Sequence, residues 1–447
     1  MTAAPVTVTI GELAGQYRAG VVSPIEVAQR CLDRIAAVDG EVRAFATVTA
    51  DRALAGAKAA ETALRDDPDG DRPLLGVPVG IKDIVDTAGI ETAAGSAALA
   101  GRVPATSATV WRRLEDAGAI LIGKTRTHEL AYGVWTPPTR NPWDTFRIPG
   151  GSSGGSGAAL AAGMCVGAVG TDTAGSIRIP AGLCGIVGLK PSYDRCPTDG
   201  VHPLAPSLDH VGPMARTVDD VRLLLEAMAA TGAGLPDVDL AGLRVGVART
   251  DMLAAPEVAA AMDRVVDVLN GAGSAVRDID GPSFLDAARH ADRLIGVEAA
   301  EVNSGLLAAA GDRLDPATRA KLTRGSAIDG RTYYRALRHA RAVTRQLQDA
   351  LAHSDVLLAP GVAVAAPLAG LESVTVGGED LPLSRALCWN MAVWNLTGLP
   401  ALALPAGTPG GLPVGVQLIG PHGGEPGLLA IAARLAERLE GGARPPI

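Results

Sequence analysis

Twelve glycines lie between Gly150 and Gly188, and that density constrains the fold more than any other feature of the chain. It is denser than an ordinary helix or strand tolerates, because each glycine adds backbone freedom that folding must remove. A flexible linker would be polar. Here Gly150-Gly151-Ser152-Ser153-Gly154-Gly155-Ser156 runs into Ala158-Ala159-Leu160-Ala161-Ala162-Gly163-Met164-Cys165-Val166. A phosphate cradle needs Gly-x-x-x-x-Gly-Lys-[Ser/Thr], and Gly150 to Gly157 has no lysine. A Gly-x-Ser-x-Gly elbow matches at Gly150 to Gly154, but an elbow follows a strand. This stretch follows the proline loop Thr136-Pro137-Pro138-Thr139-Arg140-Asn141-Pro142. The segment is expected to thread tightly through a buried centre, where backbone N–H groups converge on one point.

A second run follows: Gly170-Thr171-Asp172-Thr173-Ala174-Gly175-Ser176-Ile177-Arg178-Ile179-Pro180-Ala181. Upstream, one lysine sits in the apolar run Gly76-Val77-Pro78-Val79-Gly80-Ile81-Lys82-Asp83. None of the seven histidines falls in the glycine-rich core, so a His-dependent triad is not the natural reading. With these motifs the chain resembles the amidase signature family over nearly its whole length. That resemblance implies an α/β fold with a mixed central sheet of about eleven strands covered by helices on both faces. It also implies a Ser–cis-Ser–Lys group: Ser176 as nucleophile, Ser152 after a cis peptide bond as proton relay, and Lys82 as base. The backbone N–H groups of Thr173, Ala174, Gly175 and Ser176 are implied as the oxyanion hole.

A base must be neutral, and a free lysine with pKa ~10.4 is not neutral at pH 7. Burial among Val77, Val79, Ile81 and Ile84 would lower that value. Taken alone, Lys82 reads equally as a charge guarding an edge strand. Asp83 points away from Lys82 and reads as structural. Asp172 and Arg178 read as a buried pair that shapes the turn around Ser176, ahead of a direct role in substrate binding.

Two departures from the family pattern matter. Ala174 stands where the family usually has glycine, which is tolerable only at negative φ. Arg126 stands where many relatives have asparagine, and its guanidinium could meet a substrate carboxylate, form an internal ion pair or lie on the surface. Tyr132, Ser153, Arg126 and His210 are the candidate substrate-binding residues. The motif Ser207-Leu208-Asp209-His210-Val211-Gly212-Pro213 either buries Asp209 in a structural loop or puts His210 at the pocket rim.

The chain has 447 residues, 47% of them hydrophobic, a net charge of −8 and 3% aromatics. No basic block or stacking platform suggests nucleic acid as a partner. The scattered cysteines (Cys31, Cys165, Cys184, Cys196 and Cys388) suggest neither disulfides nor zinc, and no cofactor is expected. Met1 to Ile10 shows no signal-peptide pattern, and no run is suited to a membrane span, so a cytoplasmic location is the default. A single domain over 1–447 is expected, with the signature core at about 74–216, and a homodimer is left open.

The pattern predicts helices over Pro24 to Ile35, Asp51 to Leu64, Val110 to Ala117, Asp219 to Ala230, Glu257 to Leu269, Gly330 to Ala352 and Leu428 to Leu439. Strands are predicted at Phe45 to Val48, Leu75 to Asp86, Ala119 to Gly123, Val166 to Val169, Ile186 to Leu189, Leu243 to Ala248, Asp355 to Ala359 and Leu399 to Leu404, and Gly411 to Gly420 resembles the closing strand of the family. The first functional expectation is an amidohydrolase acting on a small-molecule amide. The alternatives are an A-type subunit of a tRNA-dependent amidotransferase and a non-catalytic binding member of the family.

Overall fold

The computed structural model describes residues 4–67, 70–232, 234–439 and 444–447. Parts of the readings at Met1 to Ile10, Pro68 to Asp71 and Gly232 to Asp239 lie outside the described residues. The chain forms strands β1 (Phe45–Val48), β2 (Pro78–Lys82), β3 (Ile120–Thr125), β4 (Gly167–Asp172), β5 (Val187–Lys190), β6 (His210–Ala215), β7 (Arg244–Val247), β8 (Ala275–Asp278), β9 (Val356–Pro360), β10 (Ser373–Val376), β11 (Glu379–Pro382), β12 (Ala401–Pro405) and β13 (Gly415–Ile419). Eleven of them make one sheet in the order β1-β3-β2-β4-β6-β5-β12-β13-β9-β7-β8, while β10 and β11 pair separately. The sheet is mixed: β2 runs parallel to β3 and β4, and β7 to β8 and β9. Its other pairs are antiparallel. This is the predicted architecture.

Local chemistry explains many of the element ends. Ser23 and Glu26 form a reciprocal capping box, with Pro24 at the first turn of the helix Pro24–Val42. Strands β2, β3 and β4 are buried along their whole length, as strands inside a sheet covered on both faces should be. Because β2 lies between β3 and β4, Lys82 is in the sheet's interior, and the edge-guard reading of that residue is excluded.

The glycine-rich stretch differs from its sequence reading. Gly154–Ala161 is a regular helix, buried from Gly154 to Leu160. Its glycines answer to close approach by other backbones. A Cβ at Gly155 would lie 2.4 Å from the Arg126 nitrogen and 2.5 Å from the Ala44 oxygen. The cost in helix propensity is offset by packing that no larger residue permits.

Of a second region of helices, only Gly330–Ala352 was read from the sequence. Phe284–Val302 packs against Pro316–Ser326, Gly330–Ala352 and Leu383–Leu396. In Gly330–Ala352 the arginines Arg331, Arg335, Arg338, Arg341 and Arg345 are exposed, as predicted. Among the described residues no helix is long and apolar enough to cross a membrane.

Candidate active site

Lys82 ends β2 and is fully buried. Its Nζ lies 2.7 Å from Ser152 Oγ and 2.7 Å from Thr171 Oγ1. Burial pushes its pKa down from 10.5 to about 7, while Asp172 and Asp209 pull the other way. The partner Thr171 was not singled out from the sequence. It lies five residues before Ser176 in β4, the strand next to β2, and that placement brings its hydroxyl to Lys82.

Ser152 is fully buried and follows a cis Gly151–Ser152 peptide. A Cβ on Gly151 would sit 2.7 Å from the Trp135 nitrogen, so the backbone passes too close for any side chain. The Ser152 carbonyl accepts from His128 N–H at 3.2 Å and from Thr136 Oγ1 at 3.0 Å. Ser176 keeps 8% exposure, which makes it the member of the group that a substrate can reach. Ser153 N–H donates to the Ser176 carbonyl at 3.2 Å and so ties the two serine runs together. The Ser176 hydroxyl makes no hydrogen bond to the described residues. The Lys82–Ser152 contact is thus formed without a hydrogen bond from Ser176, and contacts of this kind commonly tighten when substrate binds.

The turn Thr173–Ser176 is held from below. Asp172 and Arg178 are both fully buried and pair through two contacts, 2.9 Å from Nη2 to Oδ1 and 3.0 Å from Nε to Oδ2. Arg178 also donates to Gln417 Oε1 and Asn395 Oδ1, each at 2.7 Å. Asn395 Nδ2 returns to the Asp172 carbonyl at 2.8 Å. Burial alone would raise the Asp172 pKa, but Arg178 overrides it and holds the carboxyl far below the usual range. Gln417 and Asn395 sit more than 200 positions from this turn, and nothing local in the sequence links them to it. Ala174 is not among the residues with positive φ, so its Cβ is accommodated, while Gly175 has φ 116°.

Three expectations change. Gly175 N–H donates to Asp172 Oδ1 at 2.7 Å, so this amide orients the turn, which leaves Thr173, Ala174 and Ser176 as the candidate oxyanion donors. Ser153 is fully buried, and its hydroxyl bonds the Thr171 carbonyl and N–H at 3.2 Å each, which makes it a clamp between segments instead of a substrate contact. His210 is buried in β6 and forms part of the inner wall of a cavity beside Lys82, so it is not at an exposed rim. Its Nδ1 bonds the Leu208 carbonyl at 2.7 Å, and burial, then Lys190, hold the ring neutral well below pH 6.5.

A cavity of about 190 Å³ beside Lys82 is lined by Ile84, Ala131, Thr171, Thr173, Asp209 and His210, among others. Arg126 does not line it, and the Arg126 charge acts on Asp39 instead. Tyr132 is half-buried; Lys321 Nζ donates to its carbonyl at 2.7 Å and stands 5.0 Å over its ring. Asp83 pairs with buried Lys124 at 3.5 Å, the structural role expected of it. An open groove of about 690 Å³ near Arg43, Arg140 and Phe146 is larger; Lys82, Ser152 and Ser176 line neither space, but the smaller cavity reaches Thr171, the hydroxyl partner of Lys82, and Thr173 of the Ser176 turn, and the groove reaches neither.

A buried lysine against a serine hydroxyl, beside a second serine on a turn rich in free N–H groups, describes a class of hydrolase that needs no histidine. The chain belongs to the amidase family, the amidase signature group, whose profile matches residues 26–429. It is 38% identical to the A-type chain of the glutamyl-tRNA(Gln) amidotransferase of Roseiflexus sp. (strain RS-1), over 95% of this chain and 94% of that protein. A crystal structure of an amidase superposes with TM-score 0.91 at 34% identity, covering 97% of this chain and 100% of that one. The peptide amidase from Stenotrophomonas maltophilia superposes with TM-score 0.85 at 29% identity, covering 98% of each.

Proposed function

We propose that the protein hydrolyses a C–N amide bond of a small molecule through an acyl-enzyme on Ser176. The observation that carries this reading is the buried Lys82 Nζ at 2.7 Å from Ser152 Oγ, with a pKa lowered to about 7. A lysine in that state accepts a proton near neutral pH. Ser176 Oγ attacks the carbonyl carbon and passes its proton to Ser152, which passes its own to Lys82. The carbonyl oxygen, now negative, takes hydrogen bonds from the N–H groups of Thr173, Ala174 and Ser176. The same proton returns through Ser152 to the amide nitrogen, the C–N bond breaks, and ammonia or an amine leaves. Water then gives up a proton along the same path, attacks the ester, and releases the acid and Ser176. The steps draw on two serines, one lysine and backbone amides. A single domain and a cytoplasmic location belong to this reading.

A second reading, the A-type chain of an amidotransferase that works with partner chains, is favoured by the 38% identity to a protein of that name. The two separate on one experiment. The purified chain is given primary amides, ureido acids and anilides, and released ammonia or amine is measured. Turnover by the isolated chain supports the first reading. Activity only with glutamine and copurifying chains supports the second. A wild-type protein that neither turns over any amide nor takes a fluorophosphonate label at Ser176 would refute both.

A further inference from the structure

Thr173 is the first residue of the nucleophile turn, and its hydroxyl donates to Asp209 Oδ1 at 2.5 Å. The other oxygen of Asp209 accepts the N–H groups of Leu204 at 2.8 Å and Ala205 at 3.1 Å. One carboxylate thus joins two structures: the turn that carries Ser176, and the loop whose Val201, His202, Pro203 and Leu204 wall the cavity. The rest of that wall is anchored to helix Phe284–Val302 and its end, by Ser207 to Glu298 and by His202 Nε2 to Asn303 Oδ1 at 3.1 Å.

We propose that Asp209 is a positioning residue of the hydrolytic site, locking the Thr173 end of the oxyanion turn to the wall of the substrate cavity. The proposal rests on the amidohydrolase reading above. Three donors converge on a carboxylate that lines the cavity, so its geometry is satisfied only when the turn and the wall are both in place. With Thr173 held, its N–H faces the oxygen that becomes negative; with Thr173 free to rotate, that donor is lost in the transition state first. Asp209 also faces Lys82 electrostatically, with Asp172 the other acidic group acting there, and both favour the charged lysine. Asparagine at 209 removes the charge but can keep all three contacts, its carbonyl accepting the two N–H groups and its NH2 donating to the Thr173 hydroxyl, whereas alanine removes the link itself.

The test is a kinetic cycle on the full chain with a primary-amide substrate, using Thr173→Val, Thr173→Ser, Asp209→Ala, the charge-only variant Asp209→Asn and the double variant Thr173→Val/Asp209→Ala. Each variant is first checked by thermal midpoint and by fluorophosphonate labelling. Thr173→Val should lower kcat about 10- to 100-fold with KM changed by less than about threefold, the pattern of a donor used in the transition state. Thr173→Ser keeps the hydroxyl and should recover most of that loss. The double variant should be little worse than the poorer single variant, because both break one link. Asp209→Asn should also move the acid limb of kcat/KM to lower pH, since removing a negative charge disfavours charged Lys82, and a merely structural change would not do this. A Thr173→Val enzyme within about twofold of wild type, or losses that multiply in the double variant, would overturn the proposal while leaving the hydrolase reading standing. An unlabelled, inactive wild type would overturn both. If Asp209→Ala fails to fold, Thr173→Val and Thr173→Ser alone decide the matter.

Discussion

Two helices in this molecule contain glycine for opposite reasons. In Gly154–Ala161 every residue up to Leu160 is buried, and Gly155 presses on the backbones of Arg126 and Ala44. In Ser304–Ala310 no residue is buried, and nothing lies within 4 Å of a Cβ built on Gly305. The first helix belongs to the core around Lys82, Ser152 and Ser176, where packing, hydrogen bonds and a buried ion pair fix the same geometry several times over. The second follows directly on Phe284–Val302 at the solvent side of the helical flank, and it packs on its neighbours with no buried residue of its own. The chemistry proposed for this chain falls in the region that has no spare space.

The sharpest way to break this contrast is at the ion pair. Asp172→Ala leaves Arg178 buried without its carboxylate and should cost about 3–5 kcal/mol, with loss of activity, by urea titration and turnover. If the cost is below about 1 kcal/mol, the pair is not what holds the turn. The same pair predicts a pH dependence. The Asp172 carboxyl is depressed in the folded protein, so its contribution is full above an unfolded pKa of ~3.9 and is lost as pH falls through the folded value. Asp172→Asn should flatten the acid side of the stability curve.

The glycine comparison is next in size. Gly155→Ala should destabilise by about 1–3 kcal/mol through overpacking. Gly305→Ala should stabilise by about 0.5–1 kcal/mol, as expected at an open helical site. Equal effects from the two would refute the idea that space, more than propensity, selects glycine in the core. Smallest of all, Arg335→Ala on the solvated face of Gly330–Ala352 should change stability by no more than about 0.5 kcal/mol, read by thermal midpoint.

The same division governed what the sequence could reveal. The core spells its chemistry in contiguous words. Gly150 to Ser156 and Gly170 to Ala181 pointed to Ser152, Ser176 and the Asp172–Arg178 pair, and the apolar run around Lys82 pointed to a depressed pKa. Contacts that arrive from distant parts of the chain were not legible. Gln417 and Asn395 reach Arg178 across the fold, and Thr171 is recognised only once β4 lies beside β2. The helix at Gly154 was not legible either, because a count of glycines measures propensity and does not register the neighbours that demand them. In the flank, Phe284–Val302 buries Ala287, Ala288, Ala291, Ala299 and Ala300, and alanine marks a buried face weakly.

Everything in the proposed mechanism turns on a neutral Lys82 that accepts the proton relayed by Ser152. The direct measurement is the pH dependence of kcat/KM for a primary amide, together with that of Lys82→Arg. Activity should fall below a limb near the lysine's pKa of about 7, with a slope of one proton, and Lys82→Arg should be inactive at every pH because a guanidinium keeps its proton. A wild-type profile flat to about pH 5, or an active Lys82→Arg enzyme, would contradict the claim.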